Sequence, residues 1–312
     1  MGAVRETVFG LDVEGAGALP FLAGGAAAAT GRRLELVLAK DGAGLEWPAA
    51  ATLLSDERDA AGAVLFQIEA GERGYRIAGP RYGTAILAAD GSRLRGGPGA
   101  GGLLAWQRLL IAQALPFAAV LQGLEVLHAS GVAVDGEAFA LLGGSGSGKT
   151  SVALALRGLG AEFLADDVLA LERDGERLLA HPGAPVAGVA SGEVERLRRL
   201  AGFDEELVLA GDEREAMVRL LPHPAPLPLA GLFLLERRPE GPSRPRFETV
   251  VAPPALLAAT FNLVLLGGER LEGLLDICAL AAGGLVERVV SGPAVDPSMV
   301  AEAVAERIGA PV

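Results

Sequence analysis

The chain has 312 residues, 51% of them hydrophobic, which fits one large domain or two ordinary ones around a sizeable core. A formal net charge of −12 and a pI near 4.9 argue against a protein that grips the phosphate backbone of nucleic acid. Cys278 is the single cysteine, so no intramolecular disulfide can form and a reducing, cytoplasmic setting is the simpler expectation.

Met1–Phe9 carries Arg5 and Glu6 and no apolar run of signal type. Residues 1–100 read as a β-rich N-terminal domain. Strands are predicted at Leu34–Leu38, Val64–Ile68, Tyr75–Ile77 and Thr84–Leu87, with a hairpin turn at Asp90-Gly91. Arg95–Gly102 reads as a linker by composition. A helix follows from about Leu103 to Ala114, which Pro116 stops or kinks. The surrounding stretch Leu103–Leu127 is the most apolar in the chain. Arg108, Pro116, Glu125 and three glutamines interrupt it, so no membrane span is expected.

The next segment carries the chemistry. Val132–Val134 is a strand, Asp135-Gly136 turns it, and Ala138–Leu142 returns directly into a glycine-rich loop. A helix over Thr150–Leu156 and a strand over Phe163–Ala165 follow, ending at Asp166-Asp167. Val168–Leu171 continues extended to a turn at Asp174-Gly175. Further along, the pattern predicts a charged helix over Ser191–Leu200 and a buried strand over Leu229–Leu235. Helices follow at Ala255–Leu266 and Leu271–Ala282, then a strand at Leu285–Val290. A last helix is capped by Asp296 with Pro297 at its first position.

Gly143-Gly144-Ser145-Gly146-Ser147-Gly148-Lys149-Thr150 fits the spacing G-x-x-x-x-G-K-[ST]. Glycines let successive backbone N–H groups converge on phosphate oxygens without Cβ clashes. The helix that starts near Lys149 and continues through Ser151 adds its positive N-terminal end. Lys149 is expected to reach the β- and γ-phosphates, and the Thr150 hydroxyl to ligate Mg²⁺. The chain has 44 glycines, so such a loop can arise from composition alone. The strand–loop–helix context weighs against that, and so does the scarcity of lysine, since Lys40 and Lys149 are the only two.

Asp166 and Asp167 close a short apolar strand, with Asp167 only 18 residues after Lys149. That interval holds one helix and one strand, which sets the acids on the strand neighbouring the loop. One of Asp166 and Asp167 can then hold Mg²⁺ through water while the other accepts the proton of an incoming hydroxyl. His128 lies 21 residues before Lys149. Taken alone, a histidine beside a buried strand is more often a core residue than a catalyst. Arg219 is a second-rank candidate for phosphate contact. Three histidines and one cysteine spread this widely make no metal cluster. No Asn-Lys-x-Asp motif or Ser-Gly-Gly-Gln signature is present, which disfavours a GTPase or an ABC-type ATPase; a P-loop ATPase or a nucleotide-sensing regulator stays open as the alternative.

Leu127-His128-Ala129-Ser130, the loop Leu142–Thr150, Leu156-Arg157-Gly158 and Leu164–Asp167, in that order, resemble the HPr kinase/phosphorylase family. The order of elements around them also resembles HPr-kinase-like proteins associated with lasso peptide precursor modification. The Leu109–Pro116 helix and the Leu234–Arg237 strand share in that likeness. One departure is Thr150-Ser151, where HPr kinases carry Ser-Glu. The resemblance implies an α/β fold with a P-loop core related to phosphoenolpyruvate carboxykinase over residues 101–312. It implies ATP and Mg²⁺ as cofactors and a serine-bearing peptide or protein as partner, with self-association left open. In it Asp167 is the general base, His128 an auxiliary catalytic residue and Thr150 a metal ligand.

Overall fold

The computed structural model describes residues 5–15, 19–25, 28–39, 45–48, 50–195, 208–211, 215–250, 253–261 and 268–310. The predicted helical positions after Glu195, the segment 262–266 and Lys40 lie outside them.

The first sheet has eight strands: β1 (Arg5–Val8), β2 (Leu11–Glu14), β3 (Arg33–Leu38), β4 (Thr52–Arg58), β5 (Val64–Gly71), β6 (Gly74–Gly79), β7 (Gly83–Ala88) and β8 (Arg93–Pro98). Their order is β1-β2-β3-β8-β7-β6-β5-β4. The first half of the expected linker, Arg95–Pro98, is therefore strand β8. Its glycines serve packing: a Cβ on Gly96 would sit 2.8 Å from Trp106 and 2.4 Å from the Thr84 carbonyl. Trp106 fills that space and donates its indole N–H to Thr84 O at 3.0 Å.

The helix over this sheet also departs from expectation. α1 (Gly102–Leu109) passes through a π-turn at Leu110–Ala114 into α2 (Leu115–Leu121), so the chain stays helical through Pro116. Proline has no N–H and its ring crowds the carbonyl four residues back; one widened turn just before it absorbs that conflict. The helix Gly102–Leu121 is long and apolar enough to cross a membrane by length and composition alone, and 67% of its most apolar stretch is buried within the protein, as in a core helix. Its residues Trp106, Leu110 and Phe117 share one core with Leu34, Ile77 and Leu94 of the sheet and with Val168, Ala184 and Val186 further along. Packing thus runs continuously across residue 100.

The second sheet carries the glycine-rich loop. Its strands are β9 (Glu125–Leu127), β10 (Ala129–Val134), β11 (Glu137–Leu142), β12 (Glu162–Ala165), β13 (Leu169–Asp174) and β14 (Arg177–His181), joined later by three more. α3 (Lys149–Gly158) links β11 to β12. β15 (Val186–Ala190), β16 (Val208–Gly211) and β17 (Glu215–Arg219) form a separate three-stranded sheet. β18 (Leu227–Arg237) lies parallel to β11, β20 (Val286–Ser291) parallel to β18, and β19 (Arg246–Thr249) pairs β20. Among the described residues, further helices are α4 (Pro253–Ala259), α5 (Gly268–Ala282) and α6 (Pro297–Ile308), the last capped by Asp296 accepting from Ser298 N–H at 2.8 Å. The whole is a mixed α/β fold with several sheets. At the start of the predicted charged helix, the described residues show a 3₁₀ turn, Ser191–Glu193, that becomes helical at Val194 and Glu195; the rest of that prediction lies outside them.

Candidate active site

Strand order explains why distant residues converge. β10 runs antiparallel to both β11 and β12 and lies between them. Its start therefore sits at the same end of the sheet as the ends of β11 and β12. That end gathers His128 just before β10, Ser130 from β10, the loop after β11, and Asp166-Asp167 after β12. The aspartates are thus one strand further from the loop than the sequence spacing suggests. β10 fills the gap and contributes Ser130 between them.

The loop Gly143–Gly148 enters α3 with Gly148 as a left-handed cap at φ 91°. A side chain there would be strained, and so would one at Gly146 at φ 75°. Gly144, Ser145 and Gly146 form the exposed crest, while Lys149 is 7% exposed. The Lys149 ammonium folds back over the loop and donates to Gly143 O at 2.8 Å and to Gly144 O at 3.5 Å. Burial pushes the Lys149 pKa below its ordinary value, opposed by the charges of Asp167 and Asp166. The Ser147 hydroxyl is buried without a hydrogen-bond partner, and Ser151 is half-buried on the first turn of α3.

Asp166 is the hub. Its Oδ1 accepts from Ser130 Oγ at 2.7 Å and from Thr150 Oγ1 at 2.8 Å, and its Oδ2 accepts from Gly188 N–H at 3.0 Å. Part of the residue reaches the cleft, yet neighbouring atoms enclose the carboxylate. That burial pushes its pKa up, against the pull of the Ser130 and Thr150 hydrogen bonds, and the Asp167 charge adds to the rise. Asp167 is more open. Its backbone is left-handed at φ 64°, and Val168 N–H donates to Asp166 O at 2.7 Å, closing a tight turn around it. This turn aims the Asp167 carboxylate at His128, with Nδ1–Oδ1 3.2 Å and the two side chains 42% and 56% exposed. His128 is held in turn by its N–H donating to Ala259 O at 2.7 Å.

Thr150, Asp166 and Asp167 border a cleft of about 140 Å³. Its other walls are Phe9 from the β1–β2 turn, Arg108, Ile111 and Ala112 from the helix, and Ala184, Val186, Gly188, Glu215 and Met217 around the three-stranded sheet. Arg108 and Glu215 are ion-paired across it.

The structure brings together His128, Lys149, Thr150, Asp166 and Asp167. It places Arg219 elsewhere: its guanidinium donates to Ala23 O at 2.8 Å and Pro20 O at 3.1 Å, which clamps the N-terminal loop. Sequence reasoning gave no role to Ser130, although it lies two residues after His128 and so on the same face of a strand. It also missed Gly188 and the helix residues at the cleft, which reach the site only through tertiary packing. Among the described residues no group of three or more His, Cys, Asp or Glu is arranged to hold a metal. The hard oxygen donors Thr150 and Asp166, side by side, fit a Mg²⁺ ion that keeps phosphate and water as its other ligands.

No family model matches the sequence, and neither does any curated protein. Among solved structures, the Hpr(Ser) kinase/phosphatase from Coxiella burnetii is similar at a TM-score of 0.31 and 14% identity, over 59% of this chain and 90% of that chain. A likeness that slight leaves the function to be argued from the site itself.

Proposed function

We propose that the chain is an ATP- and Mg²⁺-dependent phosphotransferase acting on a serine hydroxyl of a peptide or protein. The observation that carries this reading is the pairing of two differently placed carboxylates beside one glycine-rich loop. Asp166 is enclosed and bonded to Thr150 of the loop helix, and Asp167 is exposed and bonded to His128. A site that only binds or senses nucleotide has no use for the second pair.

Backbone N–H groups of Gly143–Lys149 and the Lys149 ammonium bind the phosphates. Thr150 and Asp166 would hold Mg²⁺, which when bound neutralises charge on the phosphates. Asp167 takes the proton from the acceptor hydroxyl as its oxygen bonds to the γ-phosphorus, and the bond from that phosphorus to the ADP oxygen breaks. His128 keeps the Asp167 carboxylate turned toward the acceptor. The serine acceptor is supported by the order of the His-Ala-Ser, loop and Asp-Asp segments, which resembles HPr-kinase-like enzymes.

Incubation with γ-labelled ATP, Mg²⁺ and a serine-peptide library tests the proposal. Label in phosphoserine is expected. Label released only as inorganic phosphate would instead identify an ATPase.

A further inference from the structure

Three irregular backbone features meet at the cleft beside the carboxylates. Phe9 has φ 54°, an unusual conformation for a bulky side chain, and is held there by donating its N–H to Pro182 O at 2.8 Å. The π-turn Leu110–Ala114 carries Ile111 and Ala112 to the same wall. Asp167, at φ 64°, lines the same cleft. Such features persist where the surrounding structure enforces them, and π-turns and backbone strain both concentrate at functional sites.

Resting on the phosphotransferase reading above, we propose that this cleft is the acceptor site, and that Ile111, backed by the buried Phe9 and Met217, selects a peptide carrying a large apolar side chain next to the phosphorylated serine. Size supports this. A cavity of about 150 Å³ lined by apolar groups admits benzene. The cleft, at about 140 Å³, takes one side chain of that order. A whole helix, about 10–12 Å across with its side chains, does not enter such a space, so the serine arrives on an extended segment. Chemistry supports it too, because Phe9, Ile111, Ala112, Ala184, Val186 and Met217 make half of the wall. The charged members Arg108 and Glu215 are already paired with each other. Continuity supports it most: Asp167, the proposed base, lines the same cleft. The N-terminal sheet and its helix then supply one wall of the acceptor site.

The test uses the full chain, γ-labelled ATP with Mg²⁺, and blocked serine peptides bearing Leu, Phe, Asp or Lys beside the serine. Leu and Phe peptides are expected to have the lowest KM. In Ile111→Asp, KM for them rises about tenfold and the preference moves toward Lys, while nucleotide affinity stays at the wild-type level. Ile111→Ala, a milder change, is expected to raise KM with kcat kept. Labelled peptides with no flank preference, or a preference that Ile111→Asp leaves unmoved, would overturn the cleft assignment alone. Free phosphate with no labelled peptide would overturn the phosphotransferase reading, and this inference with it.

Discussion

Ser130→Ala probes the hub of the site. Asp166 accepts three hydrogen bonds, and the one from Ser130 Oγ, at 2.7 Å, is the shortest. A hydrogen bond to an ionised carboxylate contributes about 1.5–3 kcal/mol, against about 0.5–1.5 for a neutral one. The folded pKa of Asp166 lies above its ordinary 3.8. The ionised carboxylate therefore costs stability, and that cost sets in as pH rises from 3.8 through the folded value. The Ser130 bond limits the cost, so its removal matters most above the folded pKa. Ser130→Ala is expected to lose about 1.5–3 kcal/mol of unfolding free energy at a pH above the folded value, and about 1 kcal/mol or less below it, where the carboxyl is protonated. Urea unfolding of both proteins across a pH series measures this. A loss of equal size throughout, or one that shrinks as pH rises, would refute the charge-assisted role. Magnesium–nucleotide affinity should weaken with it, since Thr150 hangs on the same Oδ1.

Other outcomes follow from single residues. Asp167→Gly should be about 1 kcal/mol more stable than Asp167→Ala, because only glycine adopts φ 64° without strain; equal melting temperatures would mean that the turn stores nothing. Nucleotide affinity should hold until pH reaches the lowered pKa of Lys149, then fall as the ammonium deprotonates below the ordinary 10.5, while Lys149→Met gives a flat profile. Fluorescent-nucleotide titration without Mg²⁺ reads both, and an affinity that rises with pH would contradict it. Arg219→Ala should cost about 2 kcal/mol through the lost clamp on Pro20 and Ala23 and leave nucleotide affinity unchanged. A weakened affinity in calorimetry would return Arg219 to the phosphate site.

Local patterns made the core of the site readable. The alternation and turn residues of Val132–Leu142 forecast a hairpin ending in a loop, and β10, β11 and α3 follow that forecast closely. Residues that reach the site across the sheet were less legible. The spacing of Asp167 from Lys149 suggested an adjacent strand, but spacing cannot show that β10 inserts between β11 and β12. Composition misread Arg95–Pro98 as linker, because glycines chosen for the close approach of Trp106 look the same as glycines chosen for flexibility. Pro116 forecast a break, while the chain widened one turn instead and kept its helix. The cleft wall of Phe9, Ile111 and Met217 joins positions more than 200 residues apart in the chain, a union that only tertiary packing defines.

Single-turnover transfer in Asp167→Asn tests the central claim most directly. The substitution keeps the size of the side chain and removes the base. Wild-type binding of magnesium–ATP with loss of phosphoserine formation by about a hundredfold or more is the predicted result. Phosphoserine formation at the wild-type rate would contradict the account.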